Sequence, residues 1–287
     1  MTLREMISKG EEALRNAGID ESLNDAKLLA MHAGGFDRNH ILLNAESEVT
    51  EDLSLQFNEL IKRRASREPL QYITGVANFM GLDFFVAPGV LIPRFDTEIL
   101  AEEAFKAYEK ISASKGEKSL KVLDMCTGSG CLGITIKHRF KDAIVTCADI
   151  CQTSLEISSK NAQKMGLDVE IIDTDLFSNI TSSYDMIISN PPYIKTADLK
   201  TLMPEVIDHE PTLALDGGDD GLIFYEKISK AASDKYLNPG GMLLFEIGFD
   251  EAEDVENIMK GLGFAGVKTV KDLAGLDRVI IGDKNVR

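Results

Sequence analysis

The 287-residue chain is predicted to fold as α/β, a doubly wound parallel sheet preceded by a small helical bundle. Three observations predict it. Apolar strand-like runs alternate with helical stretches after Leu120, a glycine-rich turn joins the first such strand to a helix, and residues 1–70 carry helical periodicity. The length fits one large domain plus one small one. The expected division is a helical domain over 1–70, a β-hairpin linker over 71–92 and the sheet domain over 93–287.

Thr2 with Glu5 makes a capping box, and Leu3, Met6, Ile7, Ala13 and Leu14 form an apolar stripe that Gly18 ends. A second helix carries Leu23, Ala26, Leu28, Leu29 and Met31 before Gly34-Gly35. A third, opened by Thr50, carries Leu53, Phe57, Leu60 and Ile61 and stops before Pro69. Strand formers then take over: Tyr72, Ile73, Phe79, Leu82, Phe84, Phe85 and Val86, punctuated by Gly75, Gly81 and Pro88-Gly89, predict a hairpin. A helix over 96–111 and a loop over 112–116 follow. Beyond them, strands are expected at Val122-Leu123, 144–148, 169–172, 186–189, 242–247 and 279–281. Helices are expected after the glycine turn, up to Asn161, and over 221–233.

A composition of 44% hydrophobic and 27% charged residues suits a globular protein, and no apolar run approaches the ~18–20 residues that span a bilayer. The N-terminus is amphipathic and carries acid, unlike a secretory signal. A cytoplasmic protein without membrane contact is expected. The net charge of −16 argues against a counterion-displacing grip on nucleic acid, so no direct nucleic-acid binding is expected. Lys62-Arg63-Arg64 with Arg67 forms the largest basic cluster. It lies at a predicted helix end, where cations favour the dipole, and reads either as a solvated face or as a contact for a protein or ribosomal RNA partner. Cys126, Cys131, Cys147 and Cys151 match no zinc spacing and read as small thiols near a pocket; no metal is expected. The four histidines are scattered and carry no role.

Asn190-Pro191-Pro192-Tyr193 follows the strand-like run 186–189, where a parallel sheet exposes its site. Two prolines remove two backbone donors, fix two φ angles and extend their predecessors. The result is a stiff display of acceptors beside an aromatic ring, suited to a planar NH2 group; the plainer reading is a rigid turn closing a strand. Asp124-Met125-Cys126-Thr127-Gly128-Ser129-Gly130 follows the first strand and opens a helix, so glycine freedom and free helix N–H groups meet there. Asp149 ends the second strand 19 residues past Gly130, where a carboxylate can accept ribose hydroxyls. Asp175 follows the third strand; by analogy with nucleotide-binding folds it would meet an adenine amino group, with Leu176 or Phe177 covering the ring face.

The tetrapeptide resembles the signature of S-adenosylmethionine-dependent methyltransferases acting on amide or exocyclic amino nitrogens. The turn resembles their D-x-G-x-G-x-G loop, with Cys126 where a glycine is usual. Either Cys126 accepts a positive φ at a cost of ~1 kcal/mol, or it keeps an ordinary φ and only its size matters. Nearly the whole chain is similar to the HemK/PrmC family, glutamine N5-methyltransferases of class-1 peptide release factors. Carrying that similarity are Arg67-Glu68-Pro69-Leu70-Gln71-Tyr72-Ile73-Thr74-Gly75 and Leu91-Ile92-Pro93-Arg94-Phe95-Asp96-Thr97-Glu98. Later matches are Glu210-Pro211, Leu213-Ala214-Leu215-Asp216-Gly217-Gly218, Asp220-Gly221-Leu222 and Asp272-Leu273-Ala274-Gly275 with Asp277-Arg278.

The resemblance implies a class I, Rossmann-like methyltransferase sheet with S-adenosyl-L-methionine as cofactor. Cys126, Thr127, Gly128, Ser129, Gly130, Asp149, Asp175, Leu176 and Asn190 would line its pocket. Asn190, Pro191, Pro192 and Tyr193 would hold the substrate glutamine, with Asn190, Pro191 and Tyr193 catalytic. The N-terminal bundle would help grip the release factor, and the chain would be a monomer. An amide nitrogen is a poor nucleophile because its lone pair is delocalised. Accepting both its N–H bonds at Asn190 Oδ1 and the Pro191 carbonyl, and holding it ~3–3.5 Å from the methyl, supplies the help needed without a dedicated base. Two rivals share the tetrapeptide: a glutamine methyltransferase of a ribosomal protein, and an amino methyltransferase of DNA or RNA. The 70–75 segment and Thr97-Glu98 favour the release-factor branch over the first, and the net charge weighs against the second.

Overall fold

Residues 1–285 are described by the computed structural model and divide into two units. Met1–Val76 and Met203–His209 form the first; Ala77–Leu202 and the chain from Glu210 onward form the second.

The first unit is helical, as its periodicity predicts. Helix α1 (Leu3–Asn16) carries the expected capping box: Glu5 N donates to Thr2 Oγ1 at 3.2 Å, and Thr2 N donates to Glu5 Oε2 at 2.9 Å. Helix α2 (Ser22–Gly34) ends at Gly35, whose φ of +62° suits a residue without Cβ. A short α3 (Arg38–Leu43), which the sequence reading lacks, is capped by Asp37, and α4 (Glu51–Ala65) by Thr50. Met6, Leu14, Leu29 and Phe57 fill the core. The basic cluster is no solvated face at its centre: Arg64, 11% exposed, donates to Asp25 at 2.8 Å and Glu205 at 3.3 Å, and Arg67 reaches Glu205 at 2.9 Å. Tyr72 and Ile73, expected in a strand, lie buried in α5 (Leu70–Thr74). Pro69 pre-sets its start, Gly75 at φ +72° stops it, and Ile73 joins the bundle core.

The predicted hairpin is shorter than 71–92. It consists of β1 (Val76–Phe79) and β2 (Leu82–Phe85), turning at Met80 and Gly81, both at positive φ. In the second unit follow α6 (Phe95–Lys115), β3 (Lys121–Met125), α7 (Cys131–Arg139), β4 (Ile144–Asp149), α8 (Gln152–Lys164), β5 (Glu170–Asp173) and β6 (Tyr184–Ser189). The sheet is completed by β7 (Leu237–Glu246), β8 (Phe264–Lys271) and β9 (Asp277–Lys284). Its order is β5-β4-β3-β6-β7-β9-β8. Five strands are parallel, as expected, whereas β9 runs antiparallel to both β7 and β8. The parallel strands are covered on both faces: Val122, Met186 and Ile188 pack in one cluster, Leu123, Ile187 and Leu243 in the other. The chain runs from β3 outward through β4 to β5, then returns to place β6 on the other side of β3. That reversal opens a crevice beyond the carboxyl ends of β3 and β6.

Candidate active site

The two strand ends flanking the crevice are tied directly. Met125 pairs with Ser189, whose hydroxyl donates to the Met125 carbonyl at 2.6 Å. Beyond Met125 the turn is organised by Asp124, which is fully buried. Its Oδ2 accepts from Thr127 Oγ1 at 2.5 Å and from Gly133 N at 2.9 Å. Burial raises the Asp124 carboxyl to about 7, opposed by those two donors. Cys126 has φ +60°, so the first of the two alternatives holds: a cysteine occupies the left-handed region where glycine is usual. Gly130, at φ +82°, begins α7; a Cβ there would lie 2.6 Å from Ile134 Cδ1 and 3.0 Å from Ser158 Cβ. Asn161 fixes the far side of the turn. Its amide donates to the Ser129 and Phe85 carbonyls at 2.9 and 3.0 Å and accepts from Phe85 N at 2.7 Å.

Asp149, at the end of β4, accepts from Gly128 N and Cys151 N, one at each oxygen and both at 2.9 Å. Burial raises its pKa, opposed by the backbone donors. Thr174 N donates to the Asp149 carbonyl at 2.9 Å, which sets the 173–177 segment beside it. Leu176 stands at φ +47°, and Thr174 Oγ1 donates to its carbonyl at 2.8 Å.

A cleft with about 960 Å³ of empty space, partly open to solvent, gathers these residues. Cys126, Thr127, Gly128, Ser129, Asp149, Asp175 and Leu176 line it, and so do Asn190 and Pro192. The glycine turn and the tetrapeptide therefore share one cavity. Gly130, Pro191 and Tyr193 are not on its wall. Gly130 serves the turn and Pro191 is buried. The Tyr193 ring, expected as a flat wall, packs on the core beneath the sheet end, its hydroxyl donating to Glu246 Oε1 at 3.3 Å. Phe177 is buried and stacked on Tyr236 at 4.6 Å, which leaves Leu176 as the apolar side chain of that pair on the cleft. Cys131 and Cys151 also line the cavity; Cys147 is buried, and all four cysteines are free thiols. Burial pushes the Cys126 thiol up, and the Cys131 thiol to about 12, so neither is a ready thiolate.

Asn190 Nδ2 donates to Thr97 Oγ1 at 3.2 Å, which leaves Oδ1 as the free acceptor of its amide. The late loop holds the tetrapeptide from behind. Ile194 N donates to Leu215 O and Gly217 N to Ile194 O, at 2.9 and 2.8 Å. A Cβ on Gly217 would sit 2.7 Å from Tyr193 Cα and 2.9 Å from the Pro192 carbonyl. Two other matched loops meet: Glu210 pairs with the Arg94 guanidinium and accepts from Ile92 N at 3.3 Å. Sequence reasoning gave no role to Thr97, Arg94 or Glu246. The signal for Glu246 was available, since an acid closing an apolar strand is also what Asp149 is.

This strand order, with an acid after each of two adjacent strands and a shared cleft, defines a methyltransferase of the doubly wound α/β class. Residues 5–75 match the PrmC N-terminal domain model, and residues 108–229 the methyltransferase small domain model. The release factor glutamine methyltransferase of Clostridium acetobutylicum is 38% identical over 286 residues, covering 98% of each chain. That of Geobacter sulfurreducens is 38% identical over 282 residues, covering 98% of this chain and 96% of its own. A methyltransferase structure from Pyrococcus furiosus shares the fold at TM-score 0.52 and 18% identity, over 72% of this chain and 91% of that one. The chain belongs to the release factor glutamine methyltransferase family.

Proposed function

We propose that this chain methylates the side-chain amide nitrogen, N5, of a glutamine in a class-1 peptide release factor, with S-adenosyl-L-methionine as methyl donor. The observation that carries this reading is the Asn190 amide, one N–H of which is held by Thr97 so that Oδ1 is its acceptor, on a residue lining a cleft shared with Asp149 and the glycine turn.

The residues present suit the donor. Each Asp149 oxygen accepts one backbone N–H and retains a lone pair for a ribose hydroxyl. Asp175 and Leu176 offer an acceptor and an apolar face for adenine, while Gly128 and Ser129 let the backbone approach closely. When bound, the sulfonium supplies an electrophilic methyl group. The protein's part is positioning. Asn190 Oδ1, on the cleft, accepts one amide N–H bond, the Pro191 carbonyl just behind the wall is the acceptor for the other, and together they favour a nitrogen that is losing its planarity. Pro191 and Pro192 keep those acceptors from turning away, and Tyr193 anchors the end of the tetrapeptide. The proton leaves after transfer, so no side chain acts as a base.

The helical unit, Met1–Val76 with Met203–His209, serves as the substrate-recognition domain and the second unit as the methyltransferase domain, in a monomeric cytoplasmic enzyme without direct nucleic-acid binding. No helix of the described residues is long and apolar enough to cross a membrane. Labelled-methyl transfer to purified release factor, ribosomal protein and nucleic acid tests the reading. Label on the release-factor glutamine is expected; label only on ribosomal protein or nucleic acid would replace it.

A further inference from the structure

Glu246 lies where the sheet register brings it beside the tetrapeptide. Ser189 of β6 pairs with Phe245 of β7, so the next residue on each strand is Asn190 and Glu246. The Glu246 side chain is 1% exposed, and its Oε2 is buried without a hydrogen-bond partner. A carboxylate in such a place is expensive to keep and needs a reason. Its surroundings supply one. Tyr193 donates to Oε1 at 3.3 Å, and the buried Thr97 hydroxyl favours the ionised form of the same carboxyl. Thr97 Oγ1 in turn accepts from Asn190 Nδ2 at 3.2 Å. Glu246 thus holds the tetrapeptide directly at Tyr193, while Thr97, the residue that holds Asn190, influences the same carboxyl.

We infer that Glu246 is a positioning residue, whose ionised carboxylate orients the Thr97 hydroxyl and thereby fixes which face of the Asn190 amide is offered to the substrate. A threonine hydroxyl has one proton. With Glu246 ionised, that proton points at the carboxylate, and Thr97 Oγ1 can only accept from Asn190 NH2. With Glu246 protonated, its own O–H can donate to Thr97 Oγ1, so the Thr97 proton no longer points at the carboxyl and can turn to the Asn190 amide, which favours the flipped amide that presents NH2 instead. A glutamine amide nitrogen then meets a donor where it needs an acceptor. Burial raises the Glu246 carboxyl to about 7, while Thr97, Arg278 and Tyr193 favour the ionised form and Asp96 opposes it. Glu251 stands one step further, linked through the Tyr225 hydroxyl, whose oxygen lies 3.0 Å from the Glu246 carbonyl and 3.2 Å from Glu251 Oε2 and whose one proton is shared between them.

The inference rests on the proposed amide chemistry for its consequence but not for its test. The side-chain amide protons of Asn190, in 15N-labelled full-length protein and assigned by their loss in Asn190→Asp, report the Thr97 bond whatever the substrate. They should differ between wild type and Glu246→Gln; identical shifts overturn the inference. In methyl transfer to release factor, Glu246→Gln should lower kcat by about 10²-fold, the scale of a slight misplacement, with cofactor affinity within about threefold. It should also remove the wild-type rise in kcat/KM through about pH 7. An unaltered rate or pH limb refutes the role. Should Glu246→Gln not fold, Thr97→Val and Thr97→Ser decide through the same amide signals: the first should shift them and the second restore them, and equal effects overturn the inference. A wild type that leaves release factor unlabelled, with the amide signals responding as stated, refutes the substrate and not the positioning.

Discussion

In the proposed mechanism Asn190 carries the acceptor on which the chemistry turns. Replacing it with alanine removes one preorganised acceptor, and kcat for methyl transfer should fall by roughly 10²–10³. Steady-state kinetics with labelled donor check this, and unchanged turnover would remove Asn190 from the mechanism. Gly217 is a second point of sensitivity, since its missing Cβ is the space taken by the Tyr193 and Pro192 backbone. Gly217→Ala should push the tetrapeptide out of place, with kcat down by about 10²-fold while equilibrium dialysis gives an almost unchanged cofactor Kd. At this scale much was legible: Asp149, the glycine turn and Asn190 were read from strand ends and proline chemistry. The inward course of the Tyr193 ring is not legible, because no sequence pattern records that a buried carboxylate holds its hydroxyl. The conformation of Cys126 was equally hidden, because residue identity does not fix the sign of φ.

Among elements, the helices of the first unit were read from caps and stripes that tertiary packing then respects. Helix α1 depends on a close approach to α4: a Cβ on Gly10 would fall 2.5 Å from Cζ of the buried Phe57. Gly10→Ala gains helix propensity of up to ~1 kcal/mol and overpacks the contact by about 1–3 kcal/mol. A net loss of about 1–2 kcal/mol should appear as a lowered urea midpoint, and an unchanged one would mean that Phe57 moves aside freely. The elements missed share physical causes. Strand β8 alternates weakly, is broken by Gly266 and pairs with a register shift between Ala265 and Lys268, so its period was lost. The helix Ala252–Gly261 before it is marked in the sequence only by Val255 and Met259, four apart, a short apolar signal beside that irregular strand. Tyr72 and Ile73 went the other way, because intrinsic strand preference yielded to burial in the bundle.

For the molecule as a whole, stability should fall as pH rises from about 4 to about 7. Asp124 and Glu246 are each raised by burial to about 7 in the folded state. An unfolded carboxyl titrates near 4. Between those limits the folded chain binds more protons than the unfolded one, so the slope of unfolding free energy with pH is negative, and it flattens above about 7. The net charge of −16 acts in the same direction through self-repulsion. Urea midpoints at pH 5, 6, 7 and 8 should decrease and then level, and Glu246→Gln should shallow the decrease; midpoints that climb over this range would contradict the burial argument. The path of the chain has a further consequence. Because the backbone leaves the second unit at 202, contributes Met203–His209 to the first and returns at 210, the units are joined by three strands of polypeptide rather than one. Severing the bond after Val76 would therefore not liberate the helical fragment: Glu205 would still hold Arg64 and Arg67, and the nicked halves should travel together through native gel filtration and separate only in denaturant.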